Sequence, residues 1–311
     1  MTLDILFSDR DERWAGWQKP LRKALDDAGL KAQLHRSYET PEAVDYVVYS
    51  PASPLQDFTP YTRLKAVLSM WAGVETIEGN QTLKVPLARM VDPGLTTGMV
   101  EYVMGHILRY HLGMDQHINS DGTWRPETSP PLAMSRNVGF LGLGALGLAS
   151  AKAAQSFGFN VEGWSRSQKS VDGMMTHHGP DGLEALLGRT DILVLLLPLT
   201  DETHDLLDRT RLSQLRKGAF IINPGRGPLI VDEDLIASLD DGQIAHATLD
   251  VFRQEPLPKA HPFWSHPNVT VTPHIAAETR AETAAQVIVE NIKRSEAGKP
   301  LLNVVDRNAG Y

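Results

Sequence analysis

The sequence predicts an α/β protein of two domains, each with a parallel sheet, and three observations lead to this prediction. Short apolar segments alternate with helix-like segments along the chain, which is typical of βαβ units. The length of 311 residues is about twice the ~150 residues expected of one domain. A Gly-x-Gly-x-x-Gly turn at residues 142–147 directly follows an apolar strand and precedes a helix-prone stretch.

The composition excludes several classes of protein. Hydrophobic residues make up 42% and charged residues 22% of the chain, which rules out a disordered or fibrous protein. The 30 basic and 38 acidic residues give a net charge of −8, so we expect no binding to nucleic acid. There is no cysteine, hence no thiolate nucleophile. The longest apolar run, 192–199, is far below the ~20 residues that cross a bilayer, so we expect a cytoplasmic protein with no membrane segment.

The first predicted elements alternate between strand and helix. Leu21 to Leu25 predicts a helix with Pro20 in its first turn and Gly29 at its end, because proline is tolerated there and glycine accepts the left-handed residue that ends a helix. The apolar stretch 98–112 predicts a buried helix, and the turn-rich segment 113–137 follows it. The predicted strands of this half are 3–7, 44–49 and 64–68.

From Val138 onward the order of strand, turn, helix and strand repeats. A final helix is predicted to start at Ala276-Ala277 and to end at Glu296. The first half and the end of the chain look like one unit, although these residues alone leave open whether the chain returns to its first domain. The predicted elements after the strand at Val138 are a helix over 148–157 and strands over 160–164, 219–222, 247–252 and 268–272.

The glycine turn predicts a dinucleotide site. Gly142 permits the tight turn, Gly144 lets the backbone approach a pyrophosphate, and Gly147 lets helix and strand pack closely. The N-terminus of the following helix then faces the phosphates. The alternative, a glycine-rich turn in a packed core, fits the full strand–turn–helix–strand context less well.

The end of the next strand predicts which dinucleotide binds. An NAD site normally has Asp or Glu there, which accepts a hydrogen bond from the ribose 2′-OH. Glu162 lies inside the strand, whereas Ser165, Arg166 and Ser167 stand at its end. Because Arg166 offers a cation to a 2′-phosphate, we predict NADPH to be preferred over NADH. The alternative is that Arg166 is only a solvated loop residue.

Polar side chains follow three later strands of this half. Arg226, Glu255 and His274 each come soon after a predicted strand. Because the carboxyl ends of strands in an open α/β sheet border the ligand crevice, we expect these three side chains in one cleft. The alternative is three separate surface charges.

The eleven histidines do not predict a metal site. His106, His111 and His117 are spaced by five and six residues and therefore do not share one helical face. The pair His177-His178 lies in a loop-like stretch without a cysteine nearby. We therefore expect no metal.

Several blocks in fixed order resemble the D-isomer-specific 2-hydroxyacid dehydrogenases, from Leu68 to the C-terminal tail. This resemblance implies a Rossmann dinucleotide-binding domain over 98–278, inserted into a flavodoxin-like substrate-binding domain formed by 1–97 and 279–311. The blocks are the glycine turn, Leu197-Pro198-Leu199-Thr200, Ile222-Asn223-Pro224-Gly225-Arg226-Gly227, Leu249-Asp250-Val251-Phe252-Arg253-Gln254-Glu255-Pro256 and Thr272-Pro273-His274-Ile275-Ala276-Ala277.

The resemblance also implies an activity, the reduction of 2-keto acids such as glyoxylate and hydroxypyruvate to glycolate and D-glycerate with NADPH. Arg226 would hold the substrate carboxylate, and His274 would donate the proton. A free histidine with a pKa near ~6.5 would be only about one-tenth protonated at pH ~7.5, so Glu255 would serve to keep His274 protonated. Asp250 would fix the nicotinamide carboxamide.

Further residues follow from the resemblance. The expected partner is a second copy of the chain, bound mainly through the cofactor domain with 119–134 as an arm. The expected substrate-binding residues are Trp71, Ala72, Gly73, Arg226 and His274. The expected cofactor-binding residues are Gly142, Gly144, Ala145, Leu146, Gly147, Ser165, Arg166, Ser167, Leu197, Pro198, Asn223, Pro224, Gly225, Asp250, His274 and Ala276.

Two residues depart from the common pattern of the family, and two other functions stay open. Pro224-Gly225 replaces the small residue that more often precedes Arg-Gly, and Trp71 is larger than usual and would fill part of the substrate pocket. The alternatives are a dehydrogenase for another small D-2-hydroxy acid or for phosphoglycerate, and a dinucleotide-sensing corepressor on the same fold.

Overall fold

A computed structural model describes residues 2–37, 39–118, 121–124 and 129–307. The chain divides into two compact units, the first formed by Met1–Leu95 and Thr279–Tyr311 and the second by Thr96–Glu278. That the first unit binds substrate and the second NADP stays a prediction. In the part of the chain that is described, no helix combines the length and the apolar character needed to cross a membrane.

The first unit contains a five-stranded, all-parallel sheet with the strand order β2-β1-β3-β4-β5. This order is that of flavodoxin-like folds. Its core is apolar and includes Leu6, Val47 and Val67. The elements are β1 Leu3–Ser8, α1 Asp11–Asp27, β2 Ala32–His35, β3 Tyr46–Tyr49, β4 Ala66–Ser69, β5 Leu87–Ala88 and, at the end of the chain, α8 Ala281–Glu296.

Helix α1 begins earlier than the sequence analysis predicted. It starts at Asp11, so Pro20 lies inside the helix and not in its first turn. Acidic residues in the first turn interact favourably with the helix dipole, and the helix face that carries Trp17 and Leu21 is buried. This buried face compensates for the hydrogen bond that proline cannot donate.

Helix α8 starts later than predicted, at Ala281. The segment before it, residues 275–280, is not helical, and the backbone N–H groups of Ile275 and Ala276 donate to the carboxylate of Asp250. Within the first unit α8 packs against α1, and the hydroxyl of Tyr46 donates to Glu296 near the end of α8 at 2.6 Å. The structure thus places the final helix with the N-terminal sheet.

The second unit contains a seven-stranded, all-parallel sheet with the order β12-β11-β10-β9-β6-β7-β8. The order reverses between β9 and β6, as in a Rossmann fold, so the predicted fold class is confirmed. The elements are α2 Pro93–His111, which contains the boundary between the units, α3 Asp115–Ile118, β6 Asn137–Leu141, α4 Ala145–Ser156, β7 Asn160–Ser165, β8 Met175–His178, α5 Gly179–Leu187, β9 Ile192–Leu195, α6 Arg209–Gln214, β10 Ala219–Asn223, α7 Asp232–Asp240, β11 Ile244–Leu249 and β12 Val269–Val271.

The pair His177-His178 lies in strand β8, and its prediction as a loop was wrong. His177 pairs with Trp164 of the neighbouring strand β7. Its Nε2 lies 2.6 Å from a carboxylate oxygen of Glu162, which is also in β7. This contact joins residues on adjacent strands, so local propensity alone gave no sign of it.

Candidate active site

The glycine turn between β6 and α4 fits a bound dinucleotide. Gly142 has a φ of +105°, and a Cβ there would lie 2.4 Å from the Leu196 carbonyl oxygen. A Cβ on Gly147 would lie 1.9 Å from the Gly142 carbonyl oxygen, so chain packing requires both glycines. A Cβ on Gly144 would meet nothing within 4 Å. The space beside Gly144 is therefore open to a ligand, and Gly144, the residue before α4, has no side chain that could cap the helix.

The end of β7 carries the residues predicted to select NADPH. Ser165 is buried and donates to the carbonyl oxygen of Ser167 at 2.8 Å. The Arg166 guanidinium lies 3.6 Å from the Glu202 carboxylate, and both side chains are largely exposed. Glu162 bonds to His177 from within the strand, so it does not reach the strand end. The end of β7 thus carries a serine hydroxyl and an arginine, and Glu202 is the carboxylate beside that arginine.

The loop after β9 lies beside the glycine turn, and the loop after β10 lies beside the end of β9. Leu197 is buried, and the carbonyl oxygen of Pro198 accepts a hydrogen bond from Thr203 at 2.7 Å. After β10 the buried Asn223 shapes the loop that presents Arg226. Its amide donates to the Arg226 carbonyl oxygen at 2.9 Å, and its side-chain oxygen accepts from the N–H of Gly225 at 3.1 Å.

Glu255 and His274 form a hydrogen-bonded pair after β11 and β12. Nδ1 of His274 donates to Oε2 of Glu255 at 2.7 Å, and the other carboxylate oxygen accepts from the N–H of Phe252 at 2.9 Å. The bond to Glu255 raises the pKa of His274, against the opposing effect of burial. Burial alone would raise the pKa of Glu255, but the bonds from His274 and Phe252 leave it below its ordinary value. The pair therefore favours a charged imidazolium.

Arg226 belongs to the same cluster. It follows β10, which neighbours β11 in the sheet, and its charge acts on the pKa of both Glu255 and His274. One guanidinium nitrogen donates to the carbonyl oxygen of Gly225 at 2.7 Å. The structure thus brings together the three side chains that the sequence analysis expected in one cleft.

Asp250 has a different environment from the one expected for a cofactor-binding residue. It is fully buried, and both carboxylate oxygens accept hydrogen bonds from the segment around His274. Oδ1 accepts from the Thr272 hydroxyl at 2.6 Å and the Ile275 N–H at 2.9 Å, and Oδ2 accepts from the Ala276 N–H at 2.8 Å. Its contact with nicotinamide stays a prediction.

In the first unit, Trp71, Ala72 and Gly73 begin two positions after the last residue of β4 and are partly exposed. The Trp71 N–H donates to the hydroxyl oxygen of Ser69 at 3.1 Å, and the Trp71 carbonyl oxygen accepts from the N–H of Met90 at 2.9 Å. The guanidinium of Arg13 lies 6.0 Å from the centre of the Trp71 ring. Within residues 2–37, 39–118, 121–124 and 129–307, the N–H groups of Ala72 and Gly73 have no hydrogen-bond partner. They suit an anionic ligand.

The histidines outside the cluster with Glu255 include two neutral, partly buried residues. Burial lowers the pKa of His106 and of His246 to about 4. Among the residues that the structure describes, no group of three or more His, Cys, Asp or Glu could hold a metal ion.

Comparison with known proteins assigns the family. A model described as D-isomer specific 2-hydroxyacid dehydrogenase, NAD binding domain, matches residues 102–276. A protein of Yersinia enterocolitica named glyoxylate/hydroxypyruvate reductase A is 39% identical over 305 residues, which cover 95% of this chain and 96% of that protein. The chain belongs to the D-isomer specific 2-hydroxyacid dehydrogenases.

Solved structures of this dehydrogenase family have the same fold. The D-isomer specific 2-hydroxyacid dehydrogenase of Xanthobacter autotrophicus Py2, in complex with NADPH and MES, is 37% identical, with a TM-score of 0.92 and 100% of each chain covered. The NADPH-dependent glyoxylate/hydroxypyruvate reductase of Sinorhizobium meliloti, in complex with NADP and sulfate, is 34% identical, with a TM-score of 0.87, and 99% of this chain and 100% of that chain are covered. The family prediction is confirmed.

This dehydrogenase has one further cation beside the glycine turn, Lys169, which the sequence patterns did not indicate. The ammonium of Lys169 donates to the carbonyl oxygen of Leu143 at 2.8 Å, which ties the loop after β7 to the turn after β6. Lys169 stands three positions after Arg166, and a count of cations past the end of the second strand could have found it.

Proposed function

We propose that this dehydrogenase reduces small 2-keto acids, glyoxylate and hydroxypyruvate, to glycolate and D-glycerate with NADPH. The observation that carries the proposal is the cluster of Arg226, Glu255 and His274 at the carboxyl ends of three adjacent strands in the unit that holds the glycine turn. Relatives that share most of their length with this chain carry the name glyoxylate/hydroxypyruvate reductase A.

Each residue of this cluster has a distinct chemical task. The guanidinium of Arg226 matches two oxygens at once and binds the carboxylate and carbonyl oxygen of the keto acid. His274 donates its proton to the carbonyl oxygen as that oxygen becomes an alkoxide, and Glu255 keeps the imidazole protonated beforehand. A nicotinamide cofactor supplies the hydride when bound.

The cofactor site is proposed from the second unit. The glycine turn with Ala145 and Leu146 receives the pyrophosphate, because Gly144 offers no side chain to the N–H groups in the first turn of α4. Ser165, Arg166 and Ser167, joined by Lys169, receive the 2′-phosphate, because cations and hydroxyls are the groups that bind phosphate. Leu197, Pro198 and Ala276 stay predicted cofactor contacts.

We further propose a homodimer. Large apolar side chains are exposed in and beside the predicted arm, which is typical of a surface that another chain covers. Residues 119–120 and 125–128 of that arm lie outside the described residues, and the cytoplasmic location stays a prediction. The exposed side chains are Leu112, Met114, Ile118, Trp124, Leu132 and Met134.

A steady-state assay tests the function. We expect the highest kcat/KM with glyoxylate and hydroxypyruvate, less with pyruvate, and more with NADPH than with NADH. Arg226→Lys keeps the charge but loses the fork, and one charged hydrogen bond is worth ~1.5–3 kcal/mol. KM for glyoxylate should therefore rise roughly 10- to 100-fold.

The matched control for Arg226→Lys is Arg216→Lys. Arg216 precedes the same strand, β10, and pairs with Asp191 at 3.0 Å. Its replacement should leave KM unchanged. A turnover confined to another 2-hydroxy acid would replace the substrate assignment, and no turnover of any 2-keto acid would favour the corepressor alternative.

Glu255→Gln should move the pH profile of keto-acid reduction. The acid must be protonated, so kcat falls as the pH rises through the pKa of His274. Because the Glu255 carboxylate holds that pKa up, its neutral replacement lowers the pKa and moves the alkaline limb to lower pH. The measurement is kcat against pH at saturating substrate.

The second unit offers a control for this experiment. Glu162 pairs with His177 at 2.6 Å, much as Glu255 pairs with His274, but it lies within β7, away from the cluster. Glu162→Gln should leave the alkaline limb in place. If Glu255→Gln also leaves it in place, the role of Glu255 is wrong.

A further inference from the structure

The backbone of His274 has an unusual conformation. Its φ is +56°, in the left-handed region that residues with a Cβ rarely adopt. Its N–H donates to the carbonyl oxygens of Asp250 at 2.9 Å and of Thr272 at 3.1 Å. The next two N–H groups along the chain, of Ile275 and Ala276, donate to the Asp250 carboxylate. Asp250 therefore closes the turn that carries the imidazole.

A chain of hydroxyl groups leads from α2 to this carboxylate. The Thr272 hydroxyl lies 2.6 Å from Oδ1 of Asp250 and 2.7 Å from the hydroxyl of Tyr102. A carboxylate only accepts, so Thr272 donates to Asp250 and accepts from Tyr102. Burial raises the pKa of Tyr102, which keeps its hydroxyl a donor. The chain thus has one direction, from Tyr102 through Thr272 to Asp250.

We propose that Tyr102 and Thr272 are positioning residues for His274. Their hydroxyls fix the Asp250 carboxylate, which in turn holds residues 274–276 in the left-handed turn and so keeps the imidazole against Glu255. The hydrogen bonds of the two hydroxyls lead to the Asp250 carboxylate, so both residues act through Asp250. The measurement of kcat in the test below rests on the proposed function, and the titration of the His274 imidazole does not.

The same helix provides a control of the same chemistry. The hydroxyl of Tyr110, further along α2, lies 2.5 Å from the hydroxyl of Thr248 in β11. The Thr248 hydroxyl also contacts Nδ1 of His106, but not Asp250 or the turn at His274. A loss of hydroxyl at Thr248 or Tyr110 thus disturbs the packing of α2 on the sheet and leaves the turn alone.

The experiment compares Thr272→Val and Tyr102→Phe with Thr248→Val and Tyr110→Phe. The loss of one buried hydrogen bond, worth ~1 kcal/mol, corresponds to about a fivefold change in a rate constant. We therefore expect kcat to fall about 5-fold or more in the first pair. KM for glyoxylate should stay near that of the parent. Thr272→Ser keeps the hydroxyl and should restore kcat. The second pair should lower Tm but change kcat less than about twofold.

A second readout needs neither substrate nor cofactor. The charged groups that act on His274 are Glu255, Asp250 and Arg226, and the hydrogen bond to Glu255 has the largest effect. If the turn relaxes, this bond weakens, and an NMR titration of the His274 imidazole in Thr272→Val should show a lower midpoint than in the parent or in Thr248→Val. An unchanged midpoint together with parental kcat, or equal losses of kcat in both pairs, would overturn the proposal. A parent without turnover would refute the proposed function, and the titration would still decide the positioning role.

Discussion

Replacement of His274 should lower kcat for keto-acid reduction by at least ~10²-fold, because a positioned general acid contributes about that much. Asn is the sharper replacement, since it tolerates the left-handed φ of +56° better than other residues with a Cβ. His274→Asn thus removes the proton donor and keeps the turn. His274→Ala also removes the donor, but it places at this φ a residue that adopts the left-handed region less readily than His or Asn.

The measurements are kcat with glyoxylate, the Kd of NADPH and the Tm. We expect the two variants to share the loss of kcat, to keep the affinity for NADPH, and to differ in Tm. His177→Ala is the control, since His177 forms a similar bond to a glutamate within the sheet. An Asn variant with more than half of the parental kcat would mean that His274 is not the proton donor.

The double variant Ser165→Asp with Arg166→Ala should reverse the cofactor preference. It removes a cation that pairs with a 2′-phosphate and adds a carboxylate that repels the phosphate but accepts from a free 2′-OH. A charged hydrogen bond is worth ~1.5–3 kcal/mol, so the ratio of kcat/KM for NADPH over NADH should fall by roughly 10- to 100-fold or more. The ratio should pass from above one to below one.

Two further variants sharpen this test. Glu202 lies 3.6 Å from Arg166 and competes with a phosphate for it, so Glu202→Gln should keep or strengthen the preference for NADPH. Lys169→Ala should weaken NADPH more than NADH. A parent enzyme that uses both cofactors equally well, or NADH better, would show the assignment of Ser165, Arg166 and Ser167 to be wrong.

Much of the candidate site could be predicted from the sequence because its signals are local. The glycine spacing at 142–147 encodes a tight turn. A Cβ at Gly144 would meet no atom within 4 Å, so the structure leaves that position open. Arg226, Glu255 and His274 follow strands, and parallel strands bring their carboxyl ends to one edge of a sheet. The shared cleft of these three side chains therefore followed from strand order, whereas the pairing of Glu255 with His274 was implied by the family resemblance.

Other features depend on contacts between residues far apart in the chain. Tyr102 and Thr272 are 170 positions apart, and their hydroxyls meet only because α2 packs on β11 and β12. Local propensity favoured a helix from Ala276, but the helix begins only at Ala281, and the N–H groups of Ile275 and Ala276 bond to the buried Asp250 carboxylate, 25 and 26 positions earlier in the chain. Strand β8 likewise depends on a contact with a neighbouring strand, since Glu162 of β7 bonds to His177.

By itself, the sequence determined the α/β class, the dinucleotide turn and the identity of the three polar side chains after β10, β11 and β12, because spacing and strand punctuation are properties of neighbouring residues. Only the tertiary structure decided that α8 packs with the N-terminal sheet, that Pro20 lies inside α1, and that Asp250 holds the turn of His274. Each of these outcomes depends on contacts between residues that are distant in the sequence, either between buried helix faces or between a carboxylate and backbone N–H groups. Helix propensity is a property of the local sequence and does not predict such contacts.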